Sequence, residues 1–198
     1  MTLQGLLGIL AGLLSLPALG FYVWGILRHE TKPNRVTWWV FAFISIAVIL
    51  SYRGVGAWDT LWLPITYALS YVCIGVLSIK YGDGQFSLSW LDRAALIGGI
   101  ASVIAYCLVS SPLLALFLAM LSEFIAMIPT AIKSYTNPET EDRTAWIIGT
   151  LASFVNVLAI GEWSLGIAAY PVWAVASNAL IVYLLIRKRV LVRPEIVT

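Results

Sequence analysis

Arg35-Val36-Thr37-Trp38 and, 108 residues later, Arg143-Thr144-Ala145-Trp146 carry the same Arg-x-x-Trp pattern at the start of an apolar run. Further along, Gly56-Ala57-Trp58 returns as Gly161-Glu162-Trp163, 105 residues on. Pro64, Ser70 and Leu77 return as Pro171, Ser177 and Leu184, each 107 residues on. A short polar loop with a proline, Lys32-Pro33 or Asn137-Pro138, precedes each copy. A hydrophobic unit written twice at nearly constant separation predicts two pseudo-symmetric half-bundles with a site where they meet, a plan common among transporters.

The chain is 61% hydrophobic and 11% charged, with a mean hydropathy of +0.91. Soluble domains carry about 25% charged residues, so the composition points to a polytopic membrane protein. Seven spans are expected, roughly 3–27, 36–52, 60–79, 94–110, 112–132, 144–161 and 164–186, most near the roughly 20 residues that cross a bilayer. The fold class expected is therefore all-α. Three-helix repeats over 1–80 and 112–187 run parallel, the linker 81–111 carries the fourth helix, and a basic tail occupies 188–198. The odd linker helix lets the second repeat enter from the same face as the first. With seven spans, eleven of the twelve Lys and Arg residues fall on one side and Arg53 alone on the other. By the positive-inside rule this sets the N-terminus outside and the C-terminus in the cytoplasm, in the cell membrane. The tail Arg187–Arg193 reads as a stop-transfer anchor beside anionic lipid headgroups, not as a nucleic-acid site. Met1-Thr2-Leu3-Gln4 lacks the basic start of a cleavable signal, and so little chain remains outside the spans that no soluble domain is expected.

Prolines and glycines mark where these helices bend or meet. Pro17 and Pro129 lie inside spans, where a lost helix hydrogen bond permits a kink, and are the hinge candidates. Pro64 and Pro171 read as prolines near helix starts, where the cost is small. Gly8-x-x-x-Gly12 permits close helix approach, either within the chain or in a homo-oligomer.

The three-plus-one-plus-three plan, the parallel repeats, the external N-terminus and the proline in the first span of each repeat resemble the SWEET and PQ-loop superfamily. The resemblance covers nearly the whole chain and rests on architecture. Where PQ-loop proteins carry Pro-Gln, this chain has Pro17-Ala18 and Pro129-Thr130. That superfamily includes sugar transporters, amino-acid exporters, vitamin carriers and the KDEL receptor. In SWEET proteins an asparagine in the third span of each repeat lines a central pocket. The matching position here is Asn178, seven residues after Pro171, and its counterpart seven after Pro64 is Tyr71. The resemblance therefore implies a pocket with one amide and one phenol, suited to a small polar or aromatic solute.

Glu123 stands out on physical grounds alone. A carboxylate near the middle of a span costs roughly 2.5–3.5 kcal/mol on insertion scales, so it is expected to face the bundle interior. There it serves proton coupling or cation recognition, or else it is a neutral, hydrogen-bonded glutamic acid that fixes packing. Asn156 and Asn178 are buried amides that need partners, either a solute or neighbouring helices. Trp173 and Tyr67 lie deep enough to stack on a ligand. Trp38, Trp39 and Trp146 at one face and Trp58, Trp62 and Trp163 at the other fit interfacial belts. Arg35 and Arg143 sit at span entrances, where they snorkel to headgroups or pair with Glu141 or Asp142 as a gate.

His29, in a loop, is the only histidine, which argues against His-based metal clusters and buried Ser-His catalysis. Neither a P-loop nor a His-Glu-x-x-His motif is present, and Cys73 and Cys107 read as small apolar residues within spans. No cofactor and no enzymatic activity are expected. The reading is an alternating-access transporter or facilitator for a small solute, with Tyr71, Asn178, Asn156 and Trp173 at the solute, Glu123 coupling a proton or cation, Pro17 and Pro129 as hinges and Arg35 and Arg143 as gate. The alternative is a non-transporting membrane receptor or interaction protein on the same scaffold, and lipid is the other partner expected.

Overall fold

The computed structural model describes residues 2–82, 90–108 and 110–191. Arg193 and the end of the expected basic tail lie outside the described residues, as does 83–89 of the linker. The described chain is all-helical: α1 (Leu3–Leu27), α2 (Arg35–Gly54), α3 (Trp62–Tyr81), α4 (Trp90–Leu108), α5 (Pro112–Thr136), α6 (Arg143–Leu158) and α7 (Leu165–Leu191), with one 3-10 turn at Pro138–Thr140.

Polar caps start these apolar helices. Thr2 Oγ1 accepts from Gly5 N–H at 3.1 Å. Asn34 Oδ1 accepts from Thr37 N–H at 3.0 Å, and Asp142 Oδ1 from Ala145 N–H at 2.8 Å. Ser111 caps α5, followed by Pro112 in its first turn. Each cap satisfies a backbone donor that the helix cannot. Asn34 and Asp142 stand directly before the two Arg-x-x-Trp segments, so both copies of that motif open a helix in the same way.

Five helices, α1, α2, α3, α5 and α7, are long and apolar enough to cross a membrane. The apolar stretches of α4 and α6 are shorter. The 16 residues of α6 reach about 24 Å at 1.5 Å per residue, short of a bilayer core about 30 Å thick. Large apolar side chains cover the outside of the bundle as well as filling its core, and many of the close helix contacts are made by small residues. Leu6, Leu13, Leu69, Val76, Leu121 and Leu151 are exposed, while Gly8, Ala11, Gly12 and Ser15 of α1 and Ala115, Ala119 and Ser122 of α5 are buried. Lipid tails are as apolar as leucine, so helices in a membrane associate through close contact of small residues and through hydrogen bonds.

The principal helix contacts form a closed ring. In order around it, α1 packs on α3, α3 on α2, α2 on α5, α5 on α7, α7 on α6 and α6 back on α1. The remaining helix, α4, packs chiefly on α5 and α2 and stands outside the ring.

The glycine pair in α1 is used within the chain. Gly8 lies against the backbone of Asp59, and a Cβ at Gly12 would come 3.2 Å from the Trp62 carbonyl oxygen. Together they seat α1 on the start of α3. Pro171 departs from the sequence expectation. It lies inside α7, as Pro17 does in α1 and Pro129 in α5, because α7 begins at Leu165, six residues before it. Pro64, the third residue of α3, is the one that sits at a helix start.

Candidate functional site

Six helices turn residues into a cavity inside the ring, and α4 contributes none. Its volume is about 90 Å³, well above the roughly 10–15 Å³ that one water needs. It therefore has room for several waters or one small solute.

One wall is a run of aromatic rings. Tyr22 of α1 meets Trp38 of α2 at 5.1 Å between centroids. Trp38 meets Tyr71 of α3 at 5.8 Å, and Tyr71 meets Phe41 at 5.1 Å and Tyr67 at 5.9 Å. These tilted contacts are favourable ring geometries. Tyr170 and Trp173 of α7 and Trp146 of α6 supply the other aromatic faces.

Glu123 of α5 faces this space and is buried. Its Oε2 accepts from the Trp173 indole N–H at 3.1 Å, and the phenols of Tyr71 and Tyr170 interact with the same carboxyl. All three of these neighbours are neutral. A buried carboxylate is held more cheaply with such neighbours than without them, and the site keeps an acid deep in a span.

Asn178 stands beside a second polar group. Its Nδ2 donates to Tyr67 Oη at 3.1 Å and to Ser153 Oγ at 3.0 Å. Tyr67 in turn donates to the Gly149 carbonyl at 3.0 Å. The amide therefore ties α7 to α3 and α6. Its cross-ring partner is Tyr67, one helical turn before Tyr71, because Tyr71 is turned toward Glu123.

A third cluster lies at the end of the cavity marked by Tyr22 and Trp146. Glu141, in the loop before α6, pairs through Oε1 with Lys133 Nζ at 3.0 Å. Its Oε2 accepts from Tyr22 Oη at 2.9 Å and from Trp146 Nε1 at 3.0 Å. Lys133 also donates to the Lys32 carbonyl. The pair is sunk in protein, with side-chain exposures of 10% for Lys133 and 1% for Glu141. It joins α1, α5, α6 and two loops.

Of the residues singled out from the sequence, Tyr71, Asn178, Trp173 and Glu123 come together around this cavity. Asn156 does not. It is fully buried in α6, does not line the cavity, and neither of its amide atoms has a hydrogen-bond partner among the described residues. Replacing Asn156 with leucine is expected to leave solute binding unchanged and the melting temperature equal or higher, since it removes an unpaired buried amide. A binding titration and a melting curve on the same sample check this.

The two arginines of the expected gate lie at the starts of α2 and α6. Arg35 donates from Nε to the Ser78 carbonyl at 2.9 Å, fastening the start of α2 to the end of α3. Arg143 is the first residue of α6, and the preceding Asp142 is engaged as its cap. The cation that meets Glu141 is Lys133. Trp38 and Trp146 are wall residues of the cavity, whereas Trp39, Trp58, Trp62 and Trp163 are exposed. Sequence reasoning missed Tyr170 and the Lys133–Glu141 pair. Tyr170 has no polar counterpart in the first repeat, and the pair is made across a loop that carries several charges. The signal for the two tryptophans was present in their repetition.

No family model matches the chain, and no curated protein or solved structure is significantly similar to it.

Proposed function

We propose that this chain is a membrane transporter or facilitator for a small solute, built as two parallel three-helix units that rock about the cavity and open it to each face in turn. On this reading it is a SWEET-like and PQ-loop-like protein of the cell membrane, with its N-terminus outside and its C-terminus in the cytoplasm. The observation that carries the reading is that cavity-lining positions come in repeat-equivalent pairs. Trp38 and Trp146, Phe41 and Gly149 are 108 residues apart, while Tyr67 and Ala174, Ser70 and Ser177, Tyr71 and Asn178 are 107 apart. These are the separations that relate the two copies in the sequence.

The helix contacts support the same reading. Exchanging α1 with α5, α2 with α6 and α3 with α7 turns every contact of the ring into another contact of the ring. An axis along the membrane normal between parallel repeats has this effect. In this scheme α4 returns the chain across the membrane and takes no part in the cavity.

Mechanistically, Lys133–Glu141 holds the cytoplasmic end together, with Tyr22 and Trp146 just inside it. Pro17 and Pro129 weaken the backbone of α1 and α5 beside the cavity and serve as hinges. Glu123 couples a proton or a cation to the movement, since its charge is expensive at that depth unless it is neutralised.

The test needs no knowledge of the solute. Ser177→Cys is made with Cys73 and Cys107 replaced by alanine, and the protein is reconstituted in sealed vesicles. A membrane-impermeant maleimide is then added from either side. Labelling of Ser177→Cys from both sides is expected. Labelling from one side only, or from neither, overturns alternating access and favours a receptor-like or filled core.

A further inference from the structure

We infer that the cavity recognises a small organic cation, an ammonium group bearing alkyl substituents, held between aromatic faces with Glu123 as its counter-charge. The inference deepens the transporter reading. It rests on that reading for what happens to the bound solute, and on the cavity alone for the binding.

The composition of the wall is the first ground. Eight of the twenty lining residues are aromatic, one is acidic, and none is lysine, arginine or histidine. The quadrupole of an aromatic ring attracts a cation lying within about 6 Å of its face, and groups of such rings are how alkylated ammonium ions are bound. Trp38, Tyr71 and Tyr67 from one half and Trp173, Tyr170 and Trp146 from the other all line the space, so both halves supply rings to it.

The second ground is the state of Glu123. Trp173 donates to the carboxyl and the phenols of Tyr170 and Tyr71 stand beside it, and none of the three brings a positive charge. A carboxylate so placed is complementary to a monovalent cation entering from water. A neutral solute leaves that charge unanswered. A divalent metal ion is poorly served, because hard cations take six or more oxygen ligands and the cavity offers a single carboxylate.

The third ground is Trp38. Its indole Nε1 is buried without a hydrogen-bond partner among the described residues, and the residue lines the cavity. A cation that also carries a hydroxyl or carbonyl oxygen would give this donor an acceptor. Alkyl groups on nitrogen would meanwhile lie against Phe41, Ile74 and Met127. A hydroxyalkyl-trimethylammonium ion has all of these features.

The experiment uses the full chain in a maltoside detergent, free of ammonium headgroups, and reads the fluorescence of the wall tryptophans. Choline and tetramethylammonium are titrated beside 3,3-dimethylbutan-1-ol, which matches choline in shape and lacks its charge. Saturable choline binding at least tenfold tighter than the neutral alcohol is expected. Glu123→Gln should weaken choline tenfold or more while leaving the alcohol unchanged, and Trp38→Leu should weaken choline with Glu123 intact.

The comparison within the wild-type protein stands even where a variant folds poorly. Equal affinity for choline and the alcohol, or no binding of either ammonium ion, overturns the inference. If that result comes with Ser177→Cys labelled from both sides, the cation is wrong and the transporter stands. Selective choline binding with one-sided labelling keeps the cation site and removes the transport.

Discussion

Lys133→Met is expected to destabilise the folded chain by about 3–5 kcal/mol, because it strands the Glu141 carboxylate inside the protein without its cation. Glu141 is the more deeply buried of the two, at 1% side-chain exposure. Tyr22 and Trp146 would still donate to it, but neutral donors do not replace a charge. Adding Glu141→Gln to Lys133→Met should recover most of the loss. A buried ion pair contributes little net stability compared with neutral groups of similar shape, even though breaking it from one side is costly. Denaturant or thermal unfolding in detergent measures all three variants. A Lys133→Met protein as stable as wild type would show that the pair is solvated and closes nothing. If the pair is the cytoplasmic gate, the double variant should also make Ser177→Cys react faster from the cytoplasmic side.

Gly8→Ala is expected to cost at least about 1–3 kcal/mol, the range for overpacking a tight contact. The added Cβ would fall 1.7 Å from the Asp59 carbonyl oxygen and 2.9 Å from its carbon, both backbone atoms. Neither can rotate aside, so α1 or the turn before α3 must move. Gly20→Ala in the same helix is the control. Nothing lies within 4 Å of its Cβ position, and alanine is favoured over glycine in a helix interior by up to about 1 kcal/mol. The two single-methyl changes should therefore shift the melting temperature in opposite directions. Equal effects would mean that α1 is not seated on Asp59. Because Gly8 contacts its own chain, the oligomeric state should be the same in both variants.

Where the helices lie was legible because membrane helices are announced by length, apolarity and polar punctuation. Asn34 and Arg35 mark the start of α2, Ser111-Pro112 that of α5 and Asp142-Arg143 that of α6. Expected and observed boundaries differ mainly by a residue or two; the larger shifts start α4 four residues earlier, end α6 three residues sooner and extend α5 and α7 by four and five residues at their C-terminal ends. The presence of a buried acid at Glu123 was legible too, since an ionisable residue deep in a span has few places to go but inward. Asn178 was reached through the family resemblance and Tyr71 as its repeat counterpart, which identifies equivalent positions without showing where they point, while Trp173 was singled out by its depth in a span.

The inward face of each helix was much less legible. α1 and α3 are apolar nearly all round, so no stripe distinguishes the side facing lipid from the side facing protein. Trp38 and Trp146, near the ends of their helices, read as interfacial until packing turned them into the cavity. Asn156 read as a solute ligand because a buried amide has the same sequence signature whether it faces a cavity or a neighbouring helix.

By itself the sequence determined that this is a chain of apolar helices written as two copies, where those helices begin, and that one carboxylate is buried among them. Each of these follows from local chemistry: hydropathy, capping and the cost of charge in an apolar medium. Only the tertiary structure decided that six helices close a ring, that Tyr67 meets Asn178 across it, that Glu141 pairs with Lys133, and that eight aromatic residues and one acid line a single cavity. Several of these contacts join residues more than a hundred positions apart, 111 for Tyr67 and Asn178. They depend on how each helix is rotated about its axis, and that rotation is set by packing between small residues on different helices.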